Sequence, residues 1–153
     1  MGKPSAQGIS QKRLIEALVP TAKSVFQLAY YGAVGSQTLL GIAALQEMRR
    51  RFGDAIHVWP FDTQFTDDMP PGPCIIVGEI YPSLLVSRAT ADDIKDRLQV
   101  EAVVEALTHA APDDLKRLFE PPTGVSSEEL NMMLTEEGAI LGAELWGGLN
   151  TGH

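Results

Sequence analysis

Residues 74–85, C-I-I-V-G-E-I-Y-P-S-L-L, constrain the fold more than any other stretch of the chain. The run is apolar and β-branched, follows the turn cluster P-P-G-P, and is broken by Tyr81-Pro82 near its end. A short apolar run between turn signals reads as a fully buried strand of a mostly parallel sheet, and such sheets need helices on their faces. The expected fold class is therefore α/β, a short mostly parallel sheet flanked by helices. Ile75, Val77, Glu79 and Tyr81 share one face of this strand, and Ile76, Gly78 and Ile80 share the other. Glu79 is the exception in the run. A buried carboxylate is costly unless it is paired or hydrogen-bonded. Three explanations stand open: an ion pair with a helix cation such as Lys23 or Arg97, a metal, or a reaction.

The chain has 153 residues, 44% of them hydrophobic, enough for one domain (residues 1–153) with a sizeable core. Its 20 acidic and 12 basic residues give a net charge of -8, which argues against a broad nucleic-acid or acidic-membrane surface. Carboxylates in excess still suit divalent cations. Cys74 is the single cysteine, so disulfide frameworks and cysteine zinc sites are excluded. No apolar run reaches membrane-spanning length, and residues 1–10 lack a signal-peptide core. A cytoplasmic location is expected.

Around the central strand, the remaining elements fall into order. Residues 1–10 read as a flexible lead-in and 147–153 as a flexible tail. Leu14, Ile15, Leu18 and Val19 form a short helical stripe that Pro20 ends. A firm helix is expected from about Ser36, with Arg49, Arg50 and Arg51 in a last turn suited to cations and Gly53 after it. Residues 56–61 read as a second strand, with Asp62 at its exit. A helix over 90–111 is expected to start at Thr90 and to bury Ile94, Leu98, Val100, Val103, Val104 and Leu107. A brief helix covers 113–119. The pair Ser126 and Glu129 forms a capping-box pattern that opens a last helix running to about Trp146. Two strands are few for such a domain. Either strands escape the pattern, or the sheet is completed by a homodimer partner or by a missing N-terminal half.

Three candidate sites emerge. Glu79 and Asp62, at or near the ends of neighbouring strands, lie where α/β sheets place ligands. On the last helix Glu137 projects into the apolar arc of Leu130, Met133, Leu134, Ile140, Leu141 and Leu145, with Glu144 nearby and Glu136 outside it. Carboxylates from two strands and a helix suit an oxygen-liganded divalent cation, Mg2+ or Mn2+. The glycine stretch 32–41, G-A-V-G-S-Q-T-L-L-G, has Gly32, Gly35 and Ser36 where backbone amides could meet a small phosphate-containing ligand. It lacks phosphate-loop spacing, and close packing through small residues explains it equally. Lys23, Gln27 and Gln37 could line the same cleft. His57, His109 and His153 have no partners at metal-ligand spacing, and no nucleophilic triad is defensible.

The segments P-T-A-K-S-V-F-Q-L-A-Y-Y-G-A-V-G-S-Q-T-L-L-G-I from Pro20, V-W-P-F-D from Val58, E-I-Y-P-S-L from Glu79, D-R-L-Q-V from Asp96 and E-E-G-A-I-L-G from Glu136 occur in one order. Together, over residues 12–142, they resemble the C-terminal half of a poorly characterised bacterial family often labelled molybdopterin-guanine dinucleotide biosynthesis protein. That family's architecture resembles the three-layer ribonuclease-H-like fold. The resemblance implies acidic residues that hold divalent metal for phosphoryl chemistry on a nucleotide-type substrate, here Asp62, Glu79 and Glu136 or Glu137. It alternatively implies a non-catalytic accessory protein of molybdenum cofactor biosynthesis, with Lys23, Gly32, Gly35, Ser36 and Gln37 toward a pterin or nucleotide. Members generally begin with a strand meander carrying a further Asp, and nothing before Ile9 supplies it. The chain thus reads as a partial ribonuclease-H-like arrangement with an incomplete acidic site, or as a structural domain that completes its sheet by dimerisation.

Overall fold

The two apolar runs form a pair of parallel strands. The computed structural model describes residues 10–19, 21–28, 35–66, 68, 70–85 and 94–146. Strand β1 (Ile56–Val58) pairs with β2 (Ile75–Val77) in the register Ile56 to Ile75, His57 to Ile76 and Val58 to Val77. A single parallel bridge joins Glu79 to Ile140, where the Leu141 amide donates to the Glu79 carbonyl at 2.8 Å. The expected buried strand is only partly covered: Ile75 and Ile80 reach solvent, while Ile76 and Tyr81 pack against the core.

Five α-helices accompany the strands among the described residues: α1 (Leu14–Leu18), α2 (Gly35–Phe52), α3 (Lys95–His109), α4 (Pro112–Arg117) and α5 (Ser127–Met132). The basic last turn of α2 runs into Gly53, whose φ of 55° ends the helix in the conformation glycine adopts without a Cβ penalty. Gly35 opens α2 against the preceding segment. A Cβ there would lie 2.5 Å from the Val25 carbonyl oxygen and 2.9 Å from that of Gln27. Close packing thus explains this glycine. Gly32, Pro20, Thr90, the lead-in up to Ile9 and the tail from Gly147 lie outside the described residues.

The last helix is shorter than its apolar spacing predicts. Ser126 caps it as expected, accepting from the Glu129 amide at 3.2 Å while the Glu129 carboxylate accepts from the Ser126 amide at 2.8 Å. After Met132 the backbone widens into one π turn (Met133–Glu137), closed by the Gly138 amide on the Met133 carbonyl at 3.0 Å. Gly138, at φ 70° and ψ −173°, then stops it in a region nearly restricted to glycine. Ile140, Leu141 and Leu145 therefore belong to the following turns and reach the core by another route.

Ile15, Val19, Ala22, Trp59, Met133, Ala139 and Ile140 form one buried cluster, and Leu85, Val103, Ala106, Leu118 and Trp146 form another. Leu84, Phe119 and Leu141 pack against both, so the two are continuous. Fully buried side chains such as Ile15 and Met133 each contribute about 1.5–3 kcal/mol relative to exposure. The expected stripe of α3 is mostly not buried. Val103 is, but Ile94, Val100 and Val104 are exposed. On α2, Leu39, Leu40 and Ile42 are also exposed. No described helix is long and apolar enough to cross a membrane.

Candidate functional site

The site is built where the start of α1 meets the end of the π turn. Helix ends leave amides and carbonyls without intrahelical partners, and here two such ends satisfy each other. The Leu14 amide, in the first turn of α1, donates to Glu137 Oε2 at 2.6 Å. In return Arg13 Nη1 donates to the Glu137 carbonyl at 3.2 Å. Glu137 therefore works as a terminus cap and does not project into a buried arc. Glu136 is exposed, so Glu137 is the one of the pair that faces this region.

Arg13 continues inward to Glu79. Its Nη1 and Nη2 donate to Glu79 Oε2 and Oε1, both at 2.8 Å, the fork-to-fork geometry that gives a guanidinium its advantage over an ammonium. The Glu79 ion pair is thus made with Arg13, and not with Lys23 or Arg97. Arg97 instead pairs with Glu101 on the surface of α3 at 2.7 Å. Glu16 completes the cluster. Its Oε1 accepts from Arg13 Nε at 2.8 Å and from the Val25 amide at 3.0 Å, and its Oε2 accepts from the Arg13 amide at 3.0 Å. Its side chain is 1% exposed, so these donors replace water completely. Burial works against the Arg13 charge, but hydrogen bonds and attraction from Glu79, then Glu16, outweigh it and raise the guanidinium above its ordinary value.

Arg13 and Glu79 form a wall between two cavities. On one side lies a cleft of about 540 Å³, lined by Glu16, Lys23, Gln37, Tyr81, Asp96 and Gln99 among others. On the other, a mainly apolar cavity of about 380 Å³ lies between α2 and the sheet, with Ile42, Leu45, Val58 and Val77 in its lining and Glu137 at its margin. Lys23 and Gln37 line this cleft together with Glu79, whereas Gln27 and Gly35, expected beside them, do not line it. Gly35 and Ser36 stand in the first turn of α2, which has no acidic residue. The Ser36 side chain and Gly32 are outside the described residues.

Asp62 is occupied elsewhere. Its carboxylate accepts from the Val58 amide at 2.8 Å and pairs with Arg49 at 3.1 Å, tying the exit of β1 to the last turn of α2. A divalent cation asks for several oxygens around one centre. Asp62, Glu79 and Glu137 do not present one, because each already accepts from N–H donors. Among the described residues, no three His, Cys, Asp or Glu side chains are grouped so as to hold a metal ion. The positive centre of the acidic cluster is Arg13.

No family model, curated protein or solved structure matches the chain.

Arg13 and Glu16 are the residues that sequence reasoning passes over. The signal for them exists: an Arg and a Glu three apart flank the most buried position of a short apolar helix. Buried charges come in satisfied pairs. An unexplained carboxylate on a strand is better matched to Arg, with its bidentate fork, than to Lys.

Proposed function

We propose that the chain is a non-catalytic ligand-binding domain, a partial ribonuclease-H-like α/β fold whose acidic cluster is closed by Arg13 and whose neighbouring cleft receives a small polar ligand. One observation carries this reading: the Arg13 guanidinium is bonded to Glu16, to both oxygens of Glu79 and to the Glu137 carbonyl, which commits the acidic groups to structure beside an open cleft of about 540 Å³. That size is within the range of small-molecule sites, which combine apolar walls with a few convergent polar groups. The resemblance adds an accessory place in molybdenum cofactor biosynthesis, with a pterin or nucleotide approaching Lys23, Gln37 and the turn through Gly35 and Ser36. Acylation of exposed lysines with a mass-spectrometric readout tests the binding reading. Bound ligand should protect Lys23 and leave Lys116 reactive. No protection by guanine nucleotides, pterins or other small polar compounds at millimolar concentration counts against it.

A second reading is favoured by the outward-facing apolar rows of α2 and α3 and by the two-stranded sheet. In it the domain assembles with a second copy, or with an N-terminal half, to finish its core. The phosphoryl-transfer site that the resemblance implies, with magnesium or manganese at Asp62, Glu79 and Glu137, requires those oxygens to exchange their N–H partners for the cation. Calorimetric titration decides it. Binding of either ion that is lost in Glu79→Gln reinstates a metal site.

A further inference from the structure

The 540 Å³ cleft is lined by side chains of both charges. Each polar nitrogen of Arg13 already donates to Glu16, Glu79 or the Glu137 carbonyl, so Arg13 has little left to offer an incoming anion. Lys23 and Gln37 make no hydrogen bond or ion pair to any described residue, and they lie beside the first turn of α2. The Lys23 ammonium makes its part of the cleft attractive to a single negative group. Asp96 is likewise unengaged, and the Glu79 side chain, though paired, is 44% exposed. Those two carboxylates are attractive to a cation or an N–H donor. Among the charged lining residues, Glu16, Glu79 and Asp96 outnumber Arg13 and Lys23. A ligand with several negative charges therefore meets a repulsive field, and one with balanced charges does not.

We propose that the cleft binds a small zwitterion of the amino-acid or short-peptide type, its carboxylate toward Lys23 and its ammonium toward Asp96 and the exposed edge of Glu79. Ala22, Val25, Pro82 and Ile140 supply apolar wall for the ligand's side chain. The proposal rests on the ligand-binding reading and adds to it the chemistry of the ligand.

Calorimetry on the full chain tests it with three sets of probes: free α-amino acids and dipeptides with apolar side chains, their N-acetylated or amidated counterparts, and guanosine nucleotides with inorganic phosphate. A zwitterion should bind, and blocking either end should weaken it by about tenfold or more, as the loss of one charge-assisted contact does. Lys23→Met and Asp96→Asn should each weaken it similarly, with circular dichroism unchanged. Tighter binding of a nucleotide or phosphate than of every zwitterion overturns the zwitterion and leaves the ligand-binding reading standing. Binding that ignores both substitutions puts the site elsewhere and overturns the proposal. If no probe of any set binds at millimolar concentration, both fail.

Discussion

Arg13 has one guanidinium serving two carboxylates of unequal burial, which makes the expected losses unequal as well. Replacing it with Met leaves the Glu16 carboxylate, 1% exposed, with backbone donors alone, and removing one partner of a buried pair typically costs about 3–5 kcal/mol. Arg13→Met should therefore lower urea stability by about 3 kcal/mol. Glu79 is 44% exposed on its side chain, so Glu79→Gln should cost less than about 1 kcal/mol. Arg13→Lys should rescue little, because one ammonium cannot reach Glu16 Oε1 and both oxygens of Glu79 together. Equal losses for Arg13→Met and Glu79→Gln would show that the cluster is not organised by burial. The unexplained charge of the central strand was legible in the sequence, and so was an ion pair as one answer to it. The partner was not. Arg13 and Glu79 are separated by two α-helices and both strands, and the contacts of Glu137 with Leu14 and Arg13, with the bridge from Glu79 to Ile140, bring the ends together.

At the scale of elements, the capping box of α5 was readable because all its chemistry lies within four residues. Its pH behaviour follows. Ser126 holds the Glu129 carboxyl below its ordinary value, through the bond from the Ser126 amide and then the one involving its hydroxyl. A group depressed in the folded state adds stability that is complete above its unfolded value and fades as pH falls through the folded one. The start of α5 should therefore loosen as pH drops below the usual carboxylate range, seen as faster amide exchange at Glu129 ahead of global unfolding. Glu129→Gln should remove that pH dependence. The end of the same segment was not readable, because the apolar spacing continues through Gly138 as though the helix did. What stops it is a backbone conformation that only glycine holds cheaply. Gly138→Ala should cost about 1–3 kcal/mol for the forced φ and ψ. It should also push against Phe61, whose Cζ lies 3.2 Å from the added carbon. Loss of the Glu137-to-Leu14 contact, read as faster exchange of the Leu14 amide, distinguishes a displaced turn from simple destabilisation.

For the whole molecule, the α/β class and the parallel pairing followed from two apolar runs, whereas the covering of the helices did not. An amphipathic pattern states that a face must be buried but not against what. Along α3 and its N-cap residue the pattern names Ile94, Val100 and Val104, and these are 69%, 63% and 57% exposed. In α2 Leu40 is 74% exposed, with Leu39 and Ile42 close behind. Large apolar side chains left in solvent in this number mark candidate interaction surfaces, and a two-stranded sheet has little stability of its own. If a second copy covers these faces, the melting temperature should rise with protein concentration, because association stabilises the folded state by mass action. Val100→Asp and Leu40→Glu should then abolish that dependence and convert the scattering mass to that of one chain. Neither side chain belongs to the buried clusters, so circular dichroism should be retained in both variants. A monomeric wild type with a concentration-independent melting temperature removes self-assembly and leaves the apolar rows to a different partner chain. Because the cleft beside Arg13 is lined from α1, the β2 exit, α2 and α3 together, assembly through α2 or α3 should also change ligand affinity there. The association variants and Lys23→Met therefore belong in one calorimetric series, where independence of the two effects would separate the cleft from the interface.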